Sequence, residues 1–352
     1  LRGDLERVYG TDLFEKVRFR LLRRADGGHI LEVKAEEKSW GPGYLRFGFD
    51  SSTDFDGAGA LTIGLNYTHA LIGETDAEWR TAVRLGTVTS FGSEWYQPVE
   101  SSRRLFVAPA IGIERFPVRA DIGGVQSDAV VLRGGGRLDA GLHLGGWSEL
   151  RFGVDFQRGN LDFDGVHPSI EGDFDDNGLH ASLELDTLDA SVFPTSGVRF
   201  GARWKRRFES LGADADFEVV DVGEYAVATI SGQSVGLFSA LQFETGGQTE
   251  PAEAFAVGGP FRLSGLGSTK RAGPEGGIAS LITYRRLGGF YLGGSFEAGG
   301  VWDGWDTTNR NSIIFAGSVF SGLSTPLGPM YLGYGWAENG EKAAFLIIGQ
   351  LF

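Results

Sequence analysis

The serine at position 234 has the sequence surroundings of a hydrolase nucleophile, in the segment Gly232-Gln-Ser234-Val-Gly236. A Gly-x-Ser-x-Gly pattern acts as a nucleophile elbow only where a strand, a sharp turn and then a helix present the hydroxyl. Here Ser234 follows a short turn between two strand-like runs, with no histidine nearby. Asp26 would supply the acid of a serine–aspartate dyad, but it lies on a hairpin in another part of the chain. We therefore expect no catalytic residue in this chain.

Residues that bind metals or cofactors are sparse. Cysteine is absent, which excludes thiol catalysis, disulfides and cysteine-based zinc sites. Neither a P-loop nor a dinucleotide-binding fingerprint is present. We therefore expect neither a metal nor a cofactor. The five histidines lack metal-ligand spacing and are expected in loops or at rims: His29, His69, His143, His167 and His180.

The formal net charge of -14 disfavours nucleic acid as a partner, because phosphates attract basic proteins. Some of the acidic residues are concentrated in segments 171–176 and 214–216. These segments are predicted to be solvated loop surfaces, with divalent-cation binding as the alternative.

Alternation of apolar and polar residues runs through most of the chain. Near its start, Leu45, Phe47 and Phe49 alternate with Arg46 and Asp50. Side chains of a strand point alternately to its two faces, so this pattern predicts strands with one apolar and one polar face. The mean hydropathy of -0.09 is too polar for a helical membrane protein. No stretch of about 18 apolar residues is present either.

About sixteen antiparallel strands are predicted after residue 39, an even number, as in single-chain bacterial barrels. A lumen of that width cannot be filled by side chains, so the apolar face must point outward, into lipid. Closure also pairs every backbone polar group, as lipid requires. We therefore predict an all-β transmembrane barrel over residues 39–352; the soluble alternative is a large β-sandwich or a lipocalin-like barrel. The predicted strands are 43–52, 58–70, 77–87, 91–98, 103–117, 127–143, 147–161, 178–186, 197–208, 218–230, 234–246, 276–287, 289–302, 312–325, 327–337 and 343–352.

Residues 1–38 have a different pattern. Leu5 to Tyr9 is predicted to end a helix, followed by strands at 15–23 and 29–36. The two strands are joined at Asp26-Gly, a hairpin turn signal. A helix followed by a hairpin is typical of the end of a small α+β domain, whose first half would precede Leu1.

Connections between the predicted barrel strands alternate in length. One set consists mostly of short turns, and the other includes long polar loops. Outer-membrane barrels have short periplasmic turns and long extracellular loops, so residues 1–38 are expected in the periplasm. The long loops are 162–177, 209–217, 247–275 and 303–311.

The loop at 247–275 carries a motif that resembles a known family. Its core is similar to the inward-folded sixth-loop motif of the BamA/FhaC outer-membrane superfamily, an arginine followed by glycine and an aromatic residue. Arg262 is retained here, whereas the glycine stands two positions later. The resemblance implies a loop that folds into the lumen through the motif residues Gly258, Gly259, Phe261, Leu263 and Gly265.

A second motif of the same superfamily resembles the segment around Glu297, where the family usually has aspartate. Glu297 shares a strand face with Gly293, Ser295 and Gly299, so it is predicted to point into the lumen. A long loop that enters a lumen needs an anchor, and an arginine on a carboxylate forms a charge-assisted, bidentate bond. We therefore predict that Arg262 and Glu297 form the lumen loop anchor.

The C-terminal segment resembles the signal that the barrel assembly machinery reads in this superfamily, a segment that ends in an aromatic residue. The resemblance implies that Phe345, Gly349 and Phe352 belong to this signal. Segment 186–197 likewise resembles the periplasmic turn of the family after its eighth strand.

Almost the whole chain is similar to the single-chain patatin-like secreted proteins called type Vd. The similarity rests on segments 37–48, 78–81, 94–98 and 106–109. Members of this subgroup have a signal peptide, a patatin-like lipase, one POTRA domain and then the barrel. The resemblance implies that residues 1–38 are the C-terminal part of a POTRA domain. It also implies that a serine lipase, with its own catalytic residues, precedes residue 1.

We therefore expect a translocator and anchor in the Gram-negative outer membrane that secretes or displays this upstream passenger. The first alternative is an assembly or two-partner secretion barrel that acts on separate client proteins. The others are an outer-membrane enzyme with its site on the rim and a passive porin. Expected partners are outer-membrane lipids, the passenger and the barrel assembly machinery. A homodimer, in which two barrels pair through their apolar strand faces, is a further possible partner arrangement.

Overall fold

The structure of the chain is a computed structural model. The residues that it describes are 14–23, 29–37, 43–53, 59–73, 75–100, 102–122, 125–163, 172–247, 251–267, 271–305, 312–325 and 328–349. The predicted helix at 5–9, the hairpin turn at Asp26 and the terminal Phe352 lie outside these residues.

A two-stranded antiparallel hairpin precedes the barrel. It is formed by β1 (Phe14–Arg23) and β2 (His29–Glu37), which confirms both strands predicted in this region. Arg20 and Glu32 form an ion pair across the hairpin. Whether the hairpin belongs to a POTRA domain stays a prediction.

The remaining long strands close into an antiparallel barrel with sixteen strand positions, the number predicted. β10 and β11 both pair with β9 and share one position. Two further strands, β15 (Phe255–Val257) and β16 (Arg271–Gly273), pair with each other in the loop between β14 and β17. The barrel strands are β3 (Gly43–Thr53), β4 (Gly59–Ile72), β5 (Ala77–Gly86), β6 (Thr89–Pro98), β7 (Leu105–Ile122), β8 (Val125–His143), β9 (Ser148–Phe163), β10 (Gly172–Asp175), β11 (Gly178–Asp186), β12 (Ser196–Arg207), β13 (Phe217–Ile230), β14 (Gln233–Gly246), β17 (Glu275–Leu287), β18 (Phe290–Trp302), β19 (Ile314–Thr325), β20 (Gly328–Ala337) and β21 (Lys342–Gly349).

The apolar face of the barrel strands points outward and the polar face lines the lumen, as the alternation predicted. Phe296 and Glu297 are neighbours on β18, yet Phe296 is 60% exposed and Glu297 is 0% exposed. Two short 3-10 turns lie at 209–211 and 251–253. Among the described residues, none of the helices is long and apolar enough to cross a bilayer.

The barrel wall is uneven in height. β7 and β8 have 18 and 19 residues, whereas β21 has 8. β21 closes the barrel by pairing residues 344–349 with residues 48–53 of β3, and we call this ladder the seam. Gly349 ends the seam with a φ of 83°, and a Cβ there would lie 2.1 Å from the carbonyl oxygen of Phe47. A side chain at position 349 would therefore disrupt the end of the seam.

Candidate functional site

The loop between β14 and β17 has a compact tip that folds into the lumen. The backbone N–H of Gly258 donates to the carbonyl of Arg262 at 2.8 Å, and that of Gly259 donates to the carbonyl of Leu266 at 3.1 Å. Residues 263–266 are all buried. The residues of the predicted loop motif therefore lie together at this tip.

A serine joins the tip to the buried carboxylate of Glu297. The backbone N–H of Ser264 donates to Oε2 of Glu297 at 2.6 Å, and its hydroxyl donates to Oε1 at 2.6 Å. The hydroxyl of Ser295, on the same strand as Glu297, also donates to Oε1. A second bond holds the tip from β17, where the Ser280 hydroxyl donates to the carbonyl of Phe261 at 2.7 Å. The carboxylate thus has hydrogen-bond donors at both oxygens.

The predicted ion pair between Arg262 and Glu297 is not formed, because Arg262 points to another part of the loop. Its guanidinium donates to the carbonyl of Ala256 at 3.1 Å and lies over the rings of Phe238 and Phe255. Burial lowers the pKa of Arg262.

The backbone conformation of the tip explains why Ser264, and not Arg262, binds Glu297. Phe261 and Leu263, on either side of Arg262, have φ values of 61° and 73°. These left-handed positions turn the chain twice within three residues and bring Ser264 to the carboxylate instead of Arg262. The glycine of the family motif is displaced in the same stretch. No motif predicted a role for Ser264, although it directly precedes the displaced Gly265.

Backbone packs directly on backbone where the tip meets β20. A Cβ on Gly335 would lie 2.2 Å from the carbonyl oxygen of Ser264, and a Cβ on Gly265 would lie 2.3 Å from the amide nitrogen of Ala337. Only glycine permits this approach, because no side chain could shift to relieve such a contact. The tip is therefore fitted to the strand next to β21.

Aromatic rings fill the lumen beside the tip. Phe261 makes edge-to-face contacts with Phe320 and Phe345, with ring centroids 5.1 and 5.7 Å apart. Phe193, in the turn before β12, stacks on Tyr291 at 3.9 Å. The structure thus places Phe345, a residue of the predicted C-terminal signal, against the loop tip inside the lumen.

A second part of the loop reaches the opposite wall through Glu253. Its carboxylate pairs with Arg133 of β8 at 2.5 Å and with Lys205 of β12. Burial alone would raise the pKa of Glu253, but the charges of Lys205 and Arg133 outweigh it and hold the pKa well below its usual range. Gln242 of β14 donates to the carbonyl of Glu253 at 2.8 Å. This contact was not predictable from the sequence, since alternation shows which strand residues face the lumen but not which loop residue reaches them.

A continuous ionic network covers the lumen face near β8, β9 and β11. Arg151 pairs with Glu94 at 2.8 Å and with Asp139 at 3.1 Å. Nε2 of His180 lies 2.8 Å from Asp139, and its Nδ1 lies 2.8 Å from Asp155. Both ring nitrogens face carboxylate oxygens, which is the bonding pattern of an imidazolium.

The expectation that His180 is a loop or rim residue was wrong, because it lies on β11 and is only 6% exposed. Groups of three or more His, Asp or Glu side chains arranged to hold a metal are absent from the described part of the chain. The contacts of His180 are those of an ionic bridge between strands.

Ser234 lies on β14, two residues after a tight turn, in the middle of a hairpin. Its hydroxyl is within hydrogen-bond distance of the Thr229 hydroxyl, at 2.7 Å. A strand on both sides of the turn is not the strand–turn–helix arrangement of a nucleophile elbow.

The fold is similar to that of solved BamA and CdiB structures. BamA from Haemophilus ducreyi lacking POTRA domains 1-3 aligns with a TM-score of 0.70 at 14% identity, over 99% of this chain and 77% of that chain. CdiB from Acinetobacter baumannii aligns with a TM-score of 0.64 at 10% identity, over 97% and 66%. CdiB from Escherichia coli gives 0.64 at 10%, over 96% and 68%.

These similarities confirm the barrel fold that the loop and strand motifs predicted. This chain spans 66% to 77% of the length of those chains. No protein-family model matches the chain, and no curated protein matches it.

Proposed function

We propose that this chain is an outer-membrane barrel that translocates or assembles polypeptides. The observation that carries the proposal is the loop tip held inside the lumen by Glu297 and by backbone contact with β20. This tip fills the lumen beside the seam, where a short β21 closes the barrel. The resemblance of the loop to the BamA/FhaC motif and the fold shared with BamA and CdiB support the same function.

The proposed location rests on the barrel exterior. Large apolar side chains point outward all around the barrel, with Leu45 and Ile111 each 64% exposed. Exposure of such surface to water costs about 25 cal/mol per Å2, whereas lipid tails accept it. A closed barrel also leaves no unpaired strand edge in the hydrocarbon. We place the barrel in the Gram-negative outer membrane, with the long loops outside and the β1–β2 hairpin in the periplasm.

The finer form of the proposal is that the barrel secretes or displays a passenger in the same chain, by resemblance a patatin-like lipase. It is supported by the type Vd motifs in segments 37–48, 78–81, 94–98 and 106–109. On this proposal residues 1–38 complete a POTRA domain, and the assembly machinery reads Phe345, Gly349 and Phe352. The membrane lipids and the passenger are then the direct partners of the barrel.

Deletion of residues 40–352 from the intact protein tests this form. The passenger should then stay in the periplasm, protected from protease added to whole cells, while the intact protein exposes it. A passenger that reaches the surface normally without the barrel would contradict the proposal.

The second candidate is a barrel that acts on separate client proteins, which the fold shared with CdiB favours. The sequence that precedes residue 1 discriminates between the two. Several POTRA modules without a passenger would favour separate clients, and a single module behind a lipase would favour the fused form.

A further inference from the structure

A cavity of about 730 Å3 lies in the lumen of the barrel. It lies against strands β3 to β8, with Arg203 of β12 on the far side. Its charged lining residues are predominantly basic, six arginines against two glutamates: Arg46, Arg80, Arg84, Arg133, Arg137, Arg203, Glu94 and Glu114. This excess is opposite in sign to the net charge of -14 of the whole chain.

The arginines follow the strands through the barrel and are not confined to one end. On β5 the lining runs from Arg80 to Arg84, and on β8 it runs from Arg133 to Arg137. At about 3.3 Å per residue, each run rises about 13 Å along its strand. Arg46 adds a charge on β3 between these two levels, since it lies opposite Asn66, which in turn pairs with Ala82 of β5.

Part of this charge is balanced by carboxylates. Arg80 and Arg137 both pair with Glu94, each at 3.1 Å. Arg133 pairs with Glu114 at 2.7 Å as well as with Glu253 of the loop.

Arg46 and Arg84 differ from the other lining arginines. Neither has a carboxylate partner among the ion pairs of the described residues. They flank β4 two residue rows apart, since Arg46 lies opposite Asn66 and Arg84 lies opposite Gly64. Each therefore contributes a full positive charge to the potential inside the barrel.

We propose that this cavity is an anion-selective passage alongside the loop. A cleft lined by one sign of charge between low-dielectric walls focuses the potential and concentrates ions of the opposite sign. Small hydrated anions such as chloride pass, and a multivalent anion dwells longer and blocks the current. The inference rests on the proposed membrane location, but not on any client of the barrel.

The test is the zero-current potential of the 352-residue chain in planar bilayers under a KCl gradient. The wild type should prefer chloride, and millimolar tripolyphosphate should reduce its current. The double variant R46Q/R84Q should lower the chloride-to-potassium permeability ratio by about two- to threefold, because it removes both uncompensated charges. Neither substitution leaves a paired carboxylate without its partner, so the barrel is expected to fold.

R286Q is the matched control. Arg286 lies on β17, one residue before its end; it donates to the carbonyl of Gly288 at 3.1 Å and does not line the cavity. Its substitution removes one charge outside the passage and should leave the permeability ratio unchanged.

Two failures are distinguishable. Inserted, heat-modifiable barrels that carry no current, prefer potassium or show no shift in R46Q/R84Q overturn the passage but leave the membrane location intact. A chain that folds in water and never enters the bilayer overturns the membrane location itself, and the passage with it.

Discussion

The two sides of the lumen hold the same loop by different chemistry. We call the inner face of β17 to β21 the packed wall and the inner face of β5 to β12 the charged wall. On the packed wall the loop tip meets aliphatic and aromatic side chains, and Glu297 is buried against hydroxyl and amide donors. On the charged wall the loop meets Arg133 and Lys205 through Glu253, beside the arginine-lined cavity.

The contacts of the loop with the two walls therefore respond to different changes. Contact on the packed wall depends on shape, because glycine backbones and rings leave no spare space. Contact on the charged wall depends on charge and is sensitive to pH. The loop therefore has a contact that close packing and buried hydrogen bonds hold, and a second contact that acid weakens.

The largest effect is expected from Gly335→Ala on the packed wall. The new Cβ would lie 2.2 Å from the carbonyl oxygen of Ser264, so the loop tip must withdraw. Overpacking against backbone costs about 3 kcal/mol. The free energy of unfolding in detergent should fall by about that amount, and limited proteolysis should cut the loop between residues 251 and 267.

Gly201→Ala is the matched control, because a Cβ on this β12 glycine meets no atom within 4 Å. It should behave like the wild type in both measurements. Equal stability and protease resistance of the two variants would show that the tip does not press on β20.

The strand pattern was predictable because side-chain alternation is local. The lumen position of Glu297 followed from the parity of its strand and needed no knowledge of the rest of the fold. The length of β7 was underestimated, with a predicted end at 117 against an observed end at Ile122, although the alternation continues through Val118, Ala120 and Ile122. The choice of Ser264 over Arg262 was not predictable, because Phe261 and Leu263 adopt left-handed backbone conformations that their residue types do not favour.

The second largest effect is expected at Glu297, which anchors the loop tip on the packed wall. Glu297→Ala removes the acceptor of three hydrogen bonds and should lower the free energy of unfolding by about 3 kcal/mol. Ser264→Ala keeps the backbone bond and should cost about 1.5 kcal/mol. Arg262→Ala should cost about 1 kcal/mol, because the guanidinium has a single hydrogen bond to a carbonyl.

A double-mutant cycle separates the two candidate anchors. Ser264 and Glu297 should show a coupling energy above about 1 kcal/mol, whereas Arg262 and Glu297 should show almost none. The reverse order would restore the arginine anchor that the family motif predicts.

Glu253→Gln tests the charged wall and should have a smaller effect. The substitution leaves Lys205 without its loop partner, while Arg133 keeps Glu114. The cost should be about 2 kcal/mol, since one partner stays paired. Hydrogen exchange should rise at residues 251–253 and not at 263–266, because the tip keeps its own anchor. The exposed Glu209→Gln is the control and should change neither segment. Equal loosening of both segments would mean that the two walls hold the loop as one unit.

The smallest expected effect is that of acid on the same contact. Glu253 has a pKa well below its usual range in the folded barrel, because Lys205 and Arg133 outweigh its burial. A depressed folded pKa contributes stability that is complete above the ordinary glutamate pKa of about 4.3 and is lost as the pH falls toward the folded pKa. Between pH 7 and pH 3 the contact should weaken by about 1.5 kcal/mol, because each unit below the ordinary pKa contributes at most about 1.4 kcal/mol.

Hydrogen exchange of residues 251–253, measured at both pH values and corrected for the intrinsic rate, reads this weakening directly. Comparison with the Glu253→Gln variant isolates the contribution of this carboxylate. All other carboxyl groups titrate in both proteins, and only the wild type should show the part of the pH dependence that comes from Glu253. An identical pH response in the wild type and in Glu253→Gln would show that the charged wall does not hold the loop through this carboxylate. The lumen arginines would then act on passing anions alone.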